Sequence, residues 1–225
     1  MTRWRLRMLV AVALLANPAQ ADVEGKVVAV TDGDTIRLLD AENRQHKIRL
    51  AGIDAPEKAQ PYGAASRAHL ARLVAGKQVR VDSFGKDRYG RILGKVWVQP
   101  ADCPSCGKTL DANHAQILVG MAWWYFYYAG EQSEEDRGRY KSAVMEARAR
   151  KRGLWGDAEP VPPWAWRRGY RPPRTASRQV DSSCGPKRYC DQMDSCREAL
   201  FYLQSCAVGS LDGDGDGLPC ESICR

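Results

Sequence analysis

Past its first 21 residues the chain has no apolar run near the roughly 20 residues a helix needs to cross a bilayer, which excludes an integral helical membrane protein. Histidine is scarce: His46, His69 and His114 stand far apart, with no HExxH and no triad-like spacing. That excludes the zinc-protease motif and leaves the three as structural residues. No segment recurs at a fixed period, which excludes solenoids and propellers. The first hundred residues hold no cysteine; all eight lie beyond residue 100. What is present excludes disorder as well, since 44% hydrophobic residues with seven Trp and nine Tyr can build a core.

The first 21 residues read as a secretory signal peptide. Arg3, Arg5 and Arg7 form a basic start, residues 8–16 a nine-residue apolar run, and Ala19-Gln20-Ala21 a small-residue cleavage site. Export makes disulfides the default reading for an even cysteine count. Charge is divided unevenly along the rest. Residues 22–178 carry 27 basic and 19 acidic side chains, whereas 179–225 carry 4 and 8. A basic body favours a polyanionic partner and an acidic tail favours cations. The expected organisation is a body over 22–156, a Pro/Arg-rich linker over 157–183 and a cysteine-rich module over 184–225. On this division a chain ending at Arg178 keeps the whole body.

Alternating and β-branched segments predict strands over 23–30, 35–39, 46–50, 77–84 and 92–98. Residues 64–75 have a helical pattern, with Ala65, Leu70, Leu73 and Val74 as the inward stripe and Gly76 as its stop. Asp111 caps a second predicted helix running to Val119. A third runs from Ser133 to Arg152: Ser133 accepts first-turn amides, and Glu134, Glu135 and Asp136 complement the positive end of the dipole. Arg148, Arg150, Lys151 and Arg152 match the other end and read as a solvated basic run. Prolines 160, 162, 163, 172 and 173 block regular structure beyond it. Trp164 and Trp166 suggest that the first half of this stretch packs back on the body, while Arg167, Arg168, Arg171, Arg174 and Arg178 read as exposed linker. The pattern as a whole suggests a small mixed β-barrel with helices.

Three polar clusters punctuate the strands. Asp32-Gly33-Asp34-Thr35 is a tight turn. Arg49-Leu50-Ala51-Gly52-Ile53-Asp54-Ala55-Pro56-Glu57 puts one arginine and two carboxylates at a strand end, and Asp87-Arg88-Tyr89-Gly90-Arg91 follows. In this order and spacing they resemble the signature of the staphylococcal nuclease (thermonuclease) family over roughly residues 23–155. The resemblance implies an OB-fold five-stranded barrel with flanking helices, carrying a Ca²⁺-dependent phosphodiesterase for DNA and RNA. It implies that Asp34 and Asp54 are calcium carboxylates, joined by the backbone carbonyl of Ala55, where the family's reference protein has Thr. Glu57 then matches the glutamate that positions or deprotonates the attacking water, and Arg49 and Arg91 match two phosphate-gripping arginines. Arg88 and Tyr89 fall near the nucleotide's phosphate, and Tyr128, in the run Trp123-Trp124-Tyr125-Phe126-Tyr127-Tyr128, fits a nucleotide-stacking tyrosine best.

The chemistry agrees with that resemblance. Calcium takes hard oxygen ligands, and arginine's planar fork can hold two phosphate oxygens without losing its proton. An OB barrel with a basic surface and scattered aromatics favours single strands, and no base-reading element is evident. Cys103-Pro104-Ser105-Cys106 lies in an insertion absent from the reference nuclease. It reads as a short structural disulfide, a redox pair or half of a zinc site.

In the tail, Asp212-Gly213-Asp214-Gly215-Asp216-Gly217 places three carboxylates at alternate positions, and Cys220-Glu221 follows. An EF-hand's glutamate at position twelve is missing, since that slot is Ile223. The segment resembles the excalibur domain, an extracellular calcium-binding module. The resemblance implies ligands from Asp212, Asp214, Asp216, the Leu218 carbonyl and Glu221. Six cysteines here allow fifteen connectivities. The expectation is an exported, periplasmic or extracellular, Ca²⁺-dependent nuclease. A non-catalytic nucleic-acid-binding OB module and a calcium-dependent surface protein stand as the alternatives.

Overall fold

The computed structural model describes residues 22–171, 183–213, 215 and 218–224. The expected signal peptide, Arg174, Arg178, Asp214 and Asp216 lie outside the described residues. Among the described residues, no helix is long and apolar enough to cross a membrane.

Five strands close into a barrel. β1 (Val23–Val30), β2 (Thr35–Leu39) and β3 (Gln45–Leu50) form an antiparallel meander. A two-residue strand, β4 (Ile53–Asp54), and helix α1 (Gly63–Val74) follow. β5 (Gln78–Lys86) then pairs antiparallel with β1, and β6 (Ile92–Val98) pairs antiparallel with β5. Parallel pairing of β3 with β6, from Ile48 opposite Ile92 to Leu50 opposite Gly94, closes the ring. A closed sheet has no unpaired edge within the ring, and its interior fills with alternate side chains. Val27, Ile36, Leu38, Ile48, Leu50, Val79, Val81 and Val96 are buried there.

Beyond the barrel come β7 (Leu110–Asp111), α2 (Ala112–Leu118), β8 (Trp123–Trp124) and α3 (Glu134–Ala149). Asp111 caps α2 by accepting the His114 amide at 3.0 Å, and Ser133 caps α3 by accepting the Asp136 amide at 3.1 Å. Cys103 and Cys106 form a disulfide. Part of the proline-rich stretch folds as α4 (Pro163–Arg167), with Pro163 in the first turn, where a missing N–H does no harm. The tail holds α5 (Cys196–Ser205) and α6 (Glu221–Cys224), stapled by Cys184–Cys206, Cys190–Cys220 and Cys196–Cys224. Disulfides at this density belong to an oxidising compartment.

Two helix faces differ from the sequence reading. On α1, Ala65 is exposed and Ser66 is buried. The Ser66 hydroxyl donates to the Met121 carbonyl at 2.6 Å, so a polar bond decides which face turns inward. On α3, Arg148 is not solvated. Its guanidinium lies 4.1 Å from the centre of the Trp155 ring and bonds Ser205 and Gln204 of α5. Burial without a carboxylate partner pulls it down to about 10. Trp123 and Trp155 of the body and Trp164 of α4 share one apolar cluster with Met193, Leu200 and Leu218 of the tail.

Candidate active site

Three segments meet at one end of the barrel: the β1–β2 turn, the loop through β4, and α4. In the turn, Asp32 accepts the Asp34 amide at 3.1 Å. Gly33 is required by close approach, because a Cβ there would collide with the Ser66 hydroxyl and lie 2.7 Å from the Ala55 methyl. The turn drives Asp34 inward to 4% exposure. One of its oxygens accepts the Thr35 hydroxyl at 2.9 Å, and the other accepts the Ala55 amide at 2.9 Å. A single carboxylate thereby ties the first segment to the second.

The second segment reverses at Gly52, whose φ of +72° suits glycine. The chain then enters β4, which pairs with β8, Ile53 opposite Trp124 and Asp54 opposite Trp123. Asp54 is 1% exposed. Arg49, at the end of β3, donates to Asp54 at 2.9 Å and to the Ile53 carbonyl at 3.3 Å, and it pairs with Asp34. One guanidinium touching both carboxylates means that their oxygens converge on one point, and that the point takes positive charge. Arg167 of α4 reaches the same place. It donates to both Asp54 oxygens, at 2.8 and 3.3 Å, and to Glu57 at 2.7 Å.

Burial and charge oppose each other here. Burial raises Asp34, but the charge and hydrogen bond of Arg49, with the Ala55 amide, outweigh it and hold the carboxyl below its ordinary value. Burial dominates at Asp54, so its carboxyl is raised despite Arg49 and Arg167. Asp32 is pushed up to about 6, by burial first and by the Asp34 charge second. Arg49 and Arg167 are both raised: burial acts to lower each, and the carboxylates they touch prevail.

These residues fit calcium. The converging side-chain groups, Asp34 and Asp54, are hard oxygen donors, and guanidinium cations stand where a metal's charge would lie. Among the described residues no three His, Cys, Asp or Glu side chains cluster for a metal. A cation here would therefore draw on two carboxylates, backbone oxygen and water.

The remaining sequence-derived candidates are spread more widely. Arg91 sits one residue before Ile92, the register partner of Ile48, so the barrel closure brings it near β3. Its guanidinium is held by Asp87 at 2.7 Å and lies 5.5 Å from the Tyr89 ring centre rather than on the buried carboxylates. Arg88 also lies over Tyr89, at 4.9 Å. Tyr128 is exposed, with its ring 5.3 Å from that of Tyr125. In the tail, Asp212 is buried and accepts the Tyr127 hydroxyl at 2.7 Å, while Leu218 lies three residues before α6 and Glu221 is its first residue.

Four supporting residues escape sequence reading. Tyr125 is half-buried beside the Asp54 charge, and burial followed by that charge raises its hydroxyl. Asn113 and Gln116 of α2 are fully buried, and Gln116 donates to the Gly33 carbonyl at 2.6 Å. Gln60 accepts the Glu57 amide at 3.1 Å and donates to the Val161 carbonyl at 2.6 Å. Their helical spacing hinted at the α2 pair, since residues three apart share a face.

Comparison with known proteins agrees with this arrangement. Residues 47–157 match the family described as Staphylococcal nuclease homologue, and residues 187–221 match the Excalibur calcium-binding domain. Calcium is the metal of both. An "Uncharacterized endonuclease" of Escherichia coli is 44% identical over 147 residues, 65% of this chain and 86% of that protein. A "Micrococcal nuclease" of Shigella flexneri is 43% identical over 160 residues, 70% of this chain and 87% of that one. "Protein ParB" of Escherichia coli is 40% identical over 164 residues, covering 73% and 90%. With its barrel, its helices and this degree of identity, the chain belongs to the staphylococcal nuclease family and is a phosphodiesterase carrying a calcium-binding tail.

Proposed function

We propose that the protein is an exported, calcium-dependent endonuclease that cleaves DNA or RNA by attack of water, with little sequence preference. The observation that carries this reading is the convergence of Asp34, Asp54, Arg49 and Glu57 at one barrel end. Asp34, Asp54 and the Ala55 carbonyl would hold calcium, which when bound polarises a phosphoryl oxygen as a Lewis acid. Glu57, half-exposed on the rim, orients water and accepts its proton. Arg49 and Arg91 offer forked donors to the phosphate oxygens, where charge gathers in the transition state. Arg88 and Tyr89 would stand near the nucleotide's phosphate, and Tyr128 is an exposed flat ring on which a base can stack without regard to sequence. The tail would hold a second calcium through Asp212, Asp214, Asp216, the Leu218 carbonyl and Glu221. Export accounts for the signal-like start and the four disulfides.

The test is hydrolysis of fluorescent single-stranded DNA by the protein from residue 22 onward, with calcium and with excess chelator. Glu57→Gln and Arg91→Ala should each lower turnover by about 10² or more while leaving the fold intact. Near-wild-type turnover in either variant would remove the proposed mechanism.

A further inference from the structure

We propose that Arg167 is a further substrate-binding residue of this site: its guanidinium holds Asp54 and Glu57 until a divalent cation takes Asp54, which frees Glu57 as well, and then binds a backbone phosphate of the nucleic acid. The inference rests on the nuclease reading above and adds a residue to it. Three features support it.

Arg167 is aimed rather than stray. Pro162 and Pro163 open α4, and Trp164, 3% exposed, anchors it with its ring 5.6 Å from Trp123 and 5.4 Å from Tyr125. Arg167 follows one turn later. Gln60 fixes both halves of the contact, since the carboxamide that accepts the Glu57 amide also donates to Val161, two residues before α4.

The contact also occupies what the reaction needs. Both Asp54 oxygens and one Glu57 oxygen are taken by this guanidinium. A metal carboxylate and a water-orienting carboxylate cannot work while so engaged, so calcium entry and Arg167 release are linked.

Charge decides which arginine leaves and where it goes. Asp32, Asp34, Asp54 and Glu57 against Arg49 and Arg167 leave two net negative charges, and a divalent cation adds two positive charges that compete with the guanidiniums for the same oxygens. Arg49 is 15% exposed and joins both buried carboxylates, whereas Arg167 is 44% exposed and stands at the rim. The rim guanidinium is therefore the one freed. It keeps its charge, and its planar fork suits two phosphate oxygens as well as it suits a carboxylate.

The experiment compares the protein from residue 22 onward with its Arg167→Ala and Arg167→Gln variants. Affinity for a phosphorothioate-linked single-stranded oligonucleotide is read by fluorescence anisotropy across a salt series. With calcium present, loss of one phosphate contact should lower the salt slope by about 0.7 in both variants. With chelator present, Arg167 is engaged by carboxylates and the slopes should coincide. The calcium midpoint for cleavage should fall about fivefold in Arg167→Ala, because a half-exposed ion pair worth up to about 1 kcal/mol no longer competes. Equal salt slopes in calcium, or an unchanged calcium midpoint in variants that melt like the parent, overturn the proposal. If the parent itself cleaves nothing, the nuclease reading fails instead. Should Arg167→Ala not fold, Arg167→Gln, which keeps an unbranched polar side chain without the charge, carries the comparison.

Discussion

Asn113 offers the most quantitative test of how the site is held. Its carboxamide oxygen accepts the Val96 amide at 3.0 Å, and its nitrogen donates to Ala51 at 2.9 Å and Gly94 at 3.1 Å. The side chain is fully buried, as is Val96, so Asn113→Ala leaves a donor that water cannot readily reach. That orphaned amide costs about 1–3 kcal/mol, and the two lost bonds to carbonyls cost about 1 kcal/mol each. Gly94 is partly compensated, since its carbonyl also accepts the Ala51 amide at 2.8 Å. The total comes to about 4 kcal/mol, or a fall in melting midpoint of about 10 °C for a chain of this size. Urea unfolding followed by tryptophan fluorescence, with an unchanged m value, measures it. Asn113→Asp should do no better, because it replaces the donor with a buried charge facing two carbonyls. A loss under about 1 kcal/mol for Asn113→Ala would refute the reasoning. Because Ala51 opens the turn to Asp54, cleavage should fall along with stability.

Three further outcomes follow from other parts of the structure. Gly33→Ala should cost about 1–3 kcal/mol by overpacking against Ser66 and Ala55, and Ser66→Ala should return part of it in the double variant; additive losses in a thermal melt would contradict this. Burial lowers His69 and His114 from the ordinary 6.5, so the unfolded chain takes up protons first and stability falls as pH drops below about 6.5 toward the lower folded values. Asp32, raised to about 6, titrates in the opposite sense, so the informative quantity is the difference between parent and variant. The combined His69→Gln, His114→Phe variant should lose less stability than the parent between pH 7 and pH 5, and equal urea-midpoint slopes would exclude the assignment. A chain ending at Arg178 should melt lower than the full chain and bind a hydrophobic dye, because the cut uncovers the cluster around Trp155 and Trp164; an unchanged melt would show that the body closes without the tail.

Much of the barrel was legible because its strands alternate. The strands over 23–30, 35–39 and 92–98 have the bounds that β-branched patterning predicts, and the two helix caps at Asp111 and Ser133 follow from the preference of short polar side chains for orphan amides. The carboxylates and arginines of the site were legible as motifs, because tight turns and strand ends keep them close in sequence. What was hidden is the part made across long separations. Arg167 meets Glu57 from 110 residues away, and Arg148 meets Ser205 from 57 residues away. No local periodicity encodes such a meeting, so a cation aimed at a site reads like one in a linker. Ser66 was missed for a related reason: serine reads as a surface residue until its partner, the Met121 carbonyl 55 residues on, is in view.

The same long-range contacts bear on how the two family segments relate. Sequence patterning divides the chain at its proline-rich stretch, yet the side chains that hold α4 in place belong to a cluster that also includes the tail. Arg197 of α5 donates to the Ala158 carbonyl at 3.1 Å and faces Glu159 at 3.8 Å, gripping the chain just before α4. Asp212 accepts the hydroxyl of Tyr127, from the aromatic run whose first two residues pair with β4. A carboxylate at the start of the acidic loop is thus one hydrogen bond and a few aromatic contacts from the strand that carries Asp54. Trp164, the anchor that aims Arg167, lies 6.1 Å from the Tyr127 ring. Interiors packed this closely transmit displacement instead of absorbing it. Whatever displaces Asp212 therefore acts on the same packed aromatics that set the position of α4, and the tail is part of the frame of the site.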